Sequence, residues 1–265
     1  MTLSQAVDIR GVGGLPVLFA HSFAGDSSHW SSALDHLKPH RRAVAFDFSG
    51  HGRSPPAAGH YSYDLLSRDL AAVADVVSPD PFVLVGHSMG AAVAIEYAAL
   101  HAQRVKALVL VDPPPAPGAI PPEQIQQIHD ALENDPYAVV EQFWTQQMFI
   151  DAHPQVQQRL LAALRAMPRN AVIELTQQAF AVDSTVALRR YPGPKFAIVT
   201  PRNDAPLSLH NAVPGVTHAV VTGTGHWIHL DDPDGFNRTL DQFLKEKGDR
   251  SIFEKGDRSI FRGEK

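Results

Sequence analysis

The 265-residue chain contains no cysteine and carries no excess of basic charge. The absence of cysteine excludes disulfide bonds, thiolate metal sites and a cysteine nucleophile, so a nucleophile must be an oxygen or nitrogen group. A formal net charge of -5 and a pI near 6.2 provide no electrostatic footprint for nucleic acid or for an anionic membrane. We therefore expect a small, neutral or weakly polar ligand, and neither a nucleic-acid nor a membrane partner.

The sequence also lacks a long, uninterrupted apolar run. Residues Met1–Arg10 have no basic start, and the apolar stretch Leu15–Ala20 is short and contains Pro16. Neither segment has the pattern of a signal peptide or of a membrane span. We expect a cytoplasmic protein.

What the chain does contain is a series of apolar runs that alternate with helical patterns. This alternation predicts an α/β fold, with a mostly parallel sheet covered by helices on both faces. From Pro117 to about Arg190 the pattern changes to polar, glutamine-rich helices without a strand signal. We predict a core formed by residues 1–112 and 191–247, with a helical cap inserted at residues 113–190.

The end of the chain contains an exact short repeat. The eight residues Glu246–Phe253 recur unchanged as Glu254–Phe261. Two copies of a short charged unit cannot build a solenoid. We interpret residues 248–265 as a duplicated tail, disordered or carried over from an expression vector, and assign them no function.

The most informative motif is Gly86-His87-Ser88-Met89-Gly90. It follows the apolar run Phe82–Val85 and precedes a segment rich in helix formers. Gly-x-Ser-x-Gly between a strand and a helix predicts a nucleophile elbow, a sharp turn that exposes the serine hydroxyl. The two glycines are expected where strand and helix pass too close for side chains.

A serine hydroxyl needs a base within hydrogen-bond reach and a carboxylate to orient that base. His226 is the predicted base, because it lies in a glycine-rich loop after the last strand; His229 is a weaker candidate. For the acid we favour Asp204, which lies beyond the carboxyl end of the penultimate strand, where ligand-facing groups collect in open α/β sheets. Asp112, at the end of the preceding strand, is the alternative.

An oxyanion formed at Ser88 needs two hydrogen-bond donors. The Met89 amide is the first, because it begins the helix after the elbow. The second is expected in the loop after the first central strand, where the Phe23 amide is best placed. Although the chain has 14 histidines, we expect most of them to be ordinary surface or hydrogen-bonded residues and predict no metal site.

These motifs together resemble the α/β-hydrolases of the esterase, haloperoxidase and meta-cleavage hydrolase group, over nearly all of residues 12–245. The motifs that carry the resemblance are His21-Ser22-Phe23, the segment Asp47–Ser54, the Ser88 elbow, Asp204 and Gly225-His226. The resemblance implies a Ser88-Asp204-His226 triad and an acyl-enzyme mechanism without a cofactor. Ser22 stands where the family usually has glycine, which predicts strain or a reshaped oxyanion loop.

The sequence therefore predicts a serine hydrolase for a small-molecule ester or lactone, including acyl-homoserine lactones and enol-lactones. Trp144, Met148, Phe149 and Trp227 are the predicted lining of an acyl pocket. Two alternatives remain open at this point. One is a carbon-carbon bond hydrolase or a cofactor-free perhydrolase or oxygenase on the same scaffold. The other is a ligand-sensing module with slow turnover.

Overall fold

Seven strands form one sheet in the order β1-β3-β2-β4-β5-β6-β7 in the computed structural model, which describes residues 3–78, 80–118 and 120–246. All neighbouring strands are parallel except β1, which pairs antiparallel with β3. The predicted fold class is confirmed. The strands are β1 (Val7–Arg10), β2 (Val17–Ala20), β3 (Ala43–Phe46), β4 (Phe82–His87), β5 (Val105–Val111), β6 (Lys195–Val199) and β7 (Val216–Val220).

The helices cover both faces of the sheet. Their bounds are α1 (Ser31–Leu37), α2 (Tyr63–Val77), α3 (Met89–Leu100), α4 (Pro122–Leu132), α5 (Pro136–Phe143), α6 (Pro154–Ala166), α7 (Arg169–Ala181), α8 (Thr185–Arg190), α9 (Leu209–Ala212), α10 (Ile228–Asp231) and α11 (Pro233–Glu246). Two 3-10 turns (Ser27–Trp30 and Pro201–Asn203) and one π-helical turn (Trp144–Met148) complete the elements.

The central strands are apolar on both faces because each face packs against a separate layer of helices. In β4, Leu84 belongs to the apolar cluster that includes residues of α2 and α3, whereas Val83 and Val85 belong to the cluster with residues of α1 and α11. Successive side chains of a strand point to opposite faces, so a continuous apolar run is what a doubly covered strand requires. The two cores fix β4, and with it the position of the residues that follow β4.

Between β5 and β6 the chain forms five helices, α4 to α8, and the described residues from 113 to 194 contain no strand. The last of these helices, α8, packs against α3 beside the sheet. We call the helices α4 to α7, which end at Ala181, the covering segment; the predicted end of the cap at residue 190 stays a prediction.

In the described part of the chain, no helix combines the length and the apolar character that crossing a membrane would require. The duplicated tail of residues 248–265 lies outside the described residues.

Candidate active site

Ser88 lies at a sharp turn between β4 and α3. Its backbone adopts φ 51° and ψ -115°, a left-handed conformation that is strained for a residue with a side chain. A Cβ at Gly86 would lie 2.4 Å from the Gly90 carbonyl oxygen, and one at Gly90 would lie 2.4 Å from the His21 carbonyl oxygen. Both glycines are therefore required by the close approach of strand and helix, as the sequence predicted.

The elbow is tied to the end of the neighbouring strand. The Ser88 amide donates to the carbonyl oxygen of Val111, the last residue of β5, at 3.0 Å. This bond places the residue after Val111 next to the serine. That residue is Asp112.

His226 forms its carboxylate pair with Asp112. The His226 Nδ1–H donates to Asp112 Oδ2 at 2.6 Å, and the two side chains are only 10% and 4% exposed. The second carboxylate oxygen, Oδ1, accepts from the Thr200 amide at 2.9 Å and from the Thr200 hydroxyl at 3.2 Å. With Nδ1 donating to the carboxylate, Nε2 is the ring nitrogen that can accept a proton.

The predicted pairing of Asp204 with His226 is wrong. The 3-10 turn after β6 leads the chain away from His226, and Asp204 accepts from His210 Nε2 at 3.0 Å instead. Asp112 needs no such loop, because it directly follows β5, which lies next to the serine's strand, and turns at φ 39°. The alternative acid considered from the sequence is the one that the structure brings to the histidine.

Three bonds fix the backbone and loop of His226. Its amide donates to the Met148 carbonyl oxygen at 3.0 Å, and its own carbonyl oxygen accepts from His87 Nε2 at 3.0 Å. The Gly225 amide donates to Asp231 Oδ2 at 2.9 Å. Because Met148 belongs to the π-helical turn, the helical segment over the cavity directly holds the loop of the histidine.

The other histidines near the serine are buried and uncharged. Burial lowers the pKa of His87 and of His229 well below the usual value, and the neighbouring histidines lower them further. The His229 ring stacks on Trp30 at 4.1 Å between centroids. His229 is therefore a packing residue, and the weaker candidate for the base is excluded by its position.

The loop after β2 holds the peptide unit between Ser22 and Phe23 in a fixed orientation. The Ser22 carbonyl oxygen accepts from His21 Nδ1–H at 2.7 Å and from the Gly25 amide at 2.9 Å. The Phe48 amide donates to His21 Nε2 at 2.9 Å, which assigns the hydrogen to Nδ1. In a trans peptide the N–H points opposite to the C=O, so the Phe23 amide faces away from these donors.

Ser22 itself is not strained. The left-handed residue of this loop is Ala24, at φ 53°, and Ser22 has an ordinary backbone. Its hydroxyl oxygen accepts from the Trp227 indole N–H at 3.1 Å. The residue that replaces the family's usual glycine thus anchors the tryptophan that follows the predicted base.

A cavity of about 660 Å³ contains these groups, a size typical of small-molecule sites. Ser22, Phe23, Ser88, Met89, Asp112 and His226 all line it. Its apolar wall comes from residues 113–117 and from helices of the covering segment, among them Ile125, Ile128, Val140, Phe143, Leu175 and Phe180.

Three of the four predicted pocket residues line this cavity: Trp144, Met148 and Trp227. Phe149 does not. Its ring packs behind theirs, 5.8 Å from Trp144 and 5.5 Å from Trp227 between centroids. The π-helical turn adds one residue per turn and ends at Met148, so the side-chain direction at residue 149 could not be read from ordinary helical spacing.

A profile of the alpha/beta hydrolase family matches residues 17–239. The chain belongs to the alpha/beta hydrolase family. The Ser88 elbow and the seven-stranded sheet agree with this assignment.

Proteins similar to this alpha/beta hydrolase carry several different names. The chain is 29% identical over 253 residues to a dihydrolipoyllysine-residue acetyltransferase component of the acetoin cleaving system from Pseudomonas putida. This match covers 90% of the chain and 66% of that protein, so the chain spans less than two thirds of the relative's length. It is 26% identical to a pimeloyl-[acyl-carrier protein] methyl ester esterase from Yersinia enterocolitica, over 90% of this chain and 96% of the esterase. The enol-lactonase from Burkholderia xenovorans LB400 has the same fold, with a TM-score of 0.78 at 18% identity, over 91% and 95% of the two chains.

Two groups at this site of the alpha/beta hydrolase escaped the sequence analysis. Thr200 holds Asp112, and Asp231 ties the His226 loop to the covering segment by accepting from the Gly225 and His153 amides at 2.9 and 2.8 Å. Burial raises the Asp231 pKa, whereas these two amides lower it. A threonine at a strand end and an aspartate in a short helix have no distinctive pattern, so only coordinates reveal their partners.

Proposed function

We propose that this alpha/beta hydrolase is a serine hydrolase that cleaves carboxylic esters or lactones through an acyl-enzyme. The observation that carries the proposal is the His226–Asp112 bond of 2.6 Å in the cavity that Ser88 also lines. Nucleophile, base and orienting carboxylate are the three groups that acyl transfer to serine requires.

In the proposed first step, His226 Nε2 takes the proton of the Ser88 hydroxyl as Oγ attacks the substrate carbonyl carbon. Asp112 keeps the ring in the Nδ1–H tautomer and stabilises the imidazolium that forms. The tetrahedral intermediate then breaks its bond to the alkoxy oxygen, which takes the proton from His226. The acyl group remains on Ser88, and the alcohol leaves; in a lactone the alcohol stays attached to the acyl group.

In the second step, His226 takes a proton from water, which attacks the acyl carbon. Collapse of the second tetrahedral intermediate breaks the bond to Ser88 Oγ, which takes the proton back from His226. The carboxylic acid is released and the serine is regenerated. Every proton that leaves one oxygen is returned to another, so no metal or organic cofactor is needed.

We propose that two backbone amides stabilise the negative oxygen of both intermediates. Met89 is the first residue of α3, where the amides have no partner within the helix and the helix dipole favours negative charge. Phe23 contributes the second amide from a peptide whose carbonyl is held on the opposite side. Such a donor contributes roughly a hundredfold or more to the rate.

The described arginines of the covering segment provide no partner for an anionic ring-cleavage product; the arginine that does line the cavity, Arg202, donates to Gln147 Oε1. Among the described residues, the arginines of the covering segment considered from the sequence, Arg159, Arg165 and Arg169, do not line the cavity. They bind Ser28, Glu141 and the Glu133 carbonyl oxygen instead. The Yersinia relative named as a methyl ester esterase and the enol-lactonase with the same fold support ester and lactone substrates as the first to test.

The test is a panel of 4-nitrophenyl esters of increasing acyl length, acyl-homoserine lactones, an enol-lactone and vinylogous diketones, with Ser88→Ala as the blank. We expect ester or lactone turnover that falls by at least about 10⁴-fold in the variant. An acyl-enzyme on Ser88, detected as an intact-mass increase with a slow ester, would support the covalent step.

Turnover confined to diketones would overturn the proposal in favour of carbon-carbon bond hydrolysis. Equally slow rates in both proteins would overturn it in favour of a ligand-sensing module. Circular dichroism of Ser88→Ala checks that the blank is folded.

A further inference from the structure

A second group of chemically active side chains lies outside the active site, where β6 and β7 end the sheet. One ligand atom each from Asp204, His210 and His218 lies within 4.8 Å of the other two. Asp204 follows the 3-10 turn after β6, His210 belongs to α9, and His218 lies in the edge strand β7. The reaction proposed above uses none of the three.

The spacing of these atoms fits a shared ion. His210 Nε2 and His218 Nε2 lie 3.0 and 3.8 Å from the same oxygen, Asp204 Oδ1. Zinc bonds to nitrogen and oxygen of about 2.0–2.2 Å place neighbouring ligand atoms of a tetrahedral site roughly 3.4 Å apart. The two separations from Asp204 Oδ1 lie on both sides of this value, and all three ligand atoms lie within 4.8 Å of one another, so small side-chain shifts would bring the set around one ion.

The buried histidine is oriented toward this group. The His210 side chain is fully buried, and its Nδ1 has no hydrogen-bond partner among the described residues. The polar interaction of this ring is therefore made at Nε2, on the side of Asp204. The His218 ring stacks on the His210 ring at 4.1 Å between centroids. The side chains of His218 and Asp204 are 36% and 37% exposed, so an ion can enter from solvent.

We propose that Asp204, His210 and His218 form a binding site for one divalent transition-metal ion, with Zn²⁺ as the representative ion. Two imidazoles and one carboxylate suit Zn²⁺, Co²⁺ and Ni²⁺, whereas Mg²⁺ and Ca²⁺ prefer sites made of oxygen ligands. Water completes the coordination on the exposed side. The site is separate from Ser88 and does not depend on the proposed hydrolysis.

The loop that carries Asp204 is already ordered by its own bonds. The Ser208 hydroxyl donates to the Asn203 carbonyl oxygen at 2.6 Å and accepts from the Ala205 amide at 3.0 Å. The Asn203 side chain donates to the Pro113 carbonyl oxygen at 2.8 Å, and Asn203 and Ala205 line the cavity. The ion would link this loop to β7 through Asp204 and His218. We therefore assign the ion a structural role at the rim of the active site.

The experiment uses the full chain without a histidine tag, treated with a chelator and then dialysed. Calorimetric titration with ZnCl₂ is expected to give one ion per chain with Kd at or below about 10 µM. Saturating Zn²⁺ should raise Tm by about 3–6 °C, whereas Mg²⁺ at the same concentration should not change it. Co²⁺ should give visible absorption bands typical of a site with nitrogen ligands.

The variants are chosen at the two exposed ligands, since replacing buried His210 could prevent folding. His218→Ala and Asp204→Asn should each weaken Zn²⁺ binding at least about tenfold and remove the Tm increase. His60→Ala is the matched control, because His60 pairs with Glu174 at 2.7 Å on the surface with a side chain that is 95% exposed. Its affinity for Zn²⁺ should equal that of the original chain.

Absence of stoichiometric binding in the original chain would overturn the proposal. Equal affinities in the original chain, His218→Ala and Asp204→Asn would also overturn it, as would a Tm increase with Mg²⁺ as large as with Zn²⁺.

Discussion

Two of the histidine–aspartate pairs among the described residues have their carboxylates just after β5 and β6, and these two pairs differ in burial. His226 and Asp112 are 2.6 Å apart, and the carboxylate is 4% exposed; His210 and Asp204 are 3.0 Å apart, and the carboxylate is 37% exposed. The first pair lines the cavity with Ser88, and the second lies outside it. The same two residue types are thus given different environments by the loops that carry them.

The partners of the two carboxylates explain the difference. Asp112 receives two donors from Thr200 and one from His226, so both of its oxygens are bonded within the protein. Asp204 is bonded to His210, and this bond holds its pKa below the usual value. A carboxylate with a fixed orientation in a dry environment is suited to orienting a catalytic imidazole. An exposed carboxylate with a second imidazole nearby is suited to binding an ion.

The largest predicted difference between the pairs is in turnover. Asp112→Asn should lower kcat by about 10³–10⁴-fold, because an amide cannot hold His226 in the Nδ1–H tautomer. Asp204→Asn should retain at least about a tenth of the original kcat, since its histidine does not face Ser88. Steady-state kinetics on the best ester of the panel provides the measurement, with circular dichroism to check folding. A greater loss in Asp204→Asn than in Asp112→Asn would show that the pairs have been assigned the wrong roles.

The comparison of the pairs also shows what the sequence could predict. The elbow at Ser88 and the position of His226 could be predicted from local sequence patterns. The elbow is marked by the glycines on either side of Ser88, and His226 follows the end of the last strand in a glycine-rich loop. The choice between Asp112 and Asp204 depends on where a loop leads the chain after its strand. A left-handed turn at Asp112 and a 3-10 turn before Asp204 decide it, and neither has a distinctive sequence signal.

The second prediction contrasts buried and exposed imidazoles in acid. Burial lowers the pKa of His29 and His51 to about 3. Between about pH 6.5 and 3 these two imidazoles are therefore neutral in the folded protein but protonated in the unfolded chain. The contribution of these two histidines to the stability of the folded protein is complete above about pH 6.5 and is lost as the pH falls toward about 3. Each contributes at most about 1.4 kcal/mol per pH unit in this window.

Urea unfolding at pH 7.5, 6.5 and 5.5 measures this loss. We expect these two histidines to lower the free energy of unfolding by about 2 kcal/mol between pH 6.5 and 5.5, and buried His87 and His229, whose pKa values are also lowered, to add to this fall. Exposed His60 gives the opposite case: its bond to Glu174 raises its pKa, so its protonation favours the folded state, and His60→Ala should make the fall in stability toward pH 5.5 steeper. Buried Asp69 and Asp231, whose pKa values are raised, act in the opposite direction at lower pH. Constant stability from pH 7.5 to 5.5 would contradict the assignment of neutral, buried histidines.

The third prediction concerns the contact between the His226 loop and the segment that covers it. A Cβ at Gly225 would lie 2.6 Å from Ala152 Cβ and 3.0 Å from the Met148 carbonyl oxygen, which accepts from the His226 amide. Gly225→Ala should therefore destabilise the protein by about 1–3 kcal/mol and lower kcat. The matched control is Gly59→Ala, where the added Cβ has no neighbour within 4 Å and the change should stay within about 0.5 kcal/mol. Equal stabilities of the two variants would show that the loop is not held by this contact.

The smallest predicted effect separates orientation of Asp112 from its charge. Thr200→Val removes the hydroxyl that donates to the carboxylate and keeps the amide that donates to Oδ1. A hydrogen bond to a charged group contributes about 1.5–3 kcal/mol at good geometry. The Thr200 hydroxyl lies 3.2 and 3.3 Å from the two Asp112 carboxylate oxygens, which is long for such a bond, so we expect kcat to fall only about tenfold. Thr200→Ser keeps the hydroxyl and should restore most of the rate. In an Asp112→Asn background, Thr200→Val should lower kcat little further. Thr200 is proposed to act through the Asp112 carboxylate, so the two losses of kcat are not additive. A full tenfold further loss in that background would mean that Thr200 acts on the substrate and not on Asp112.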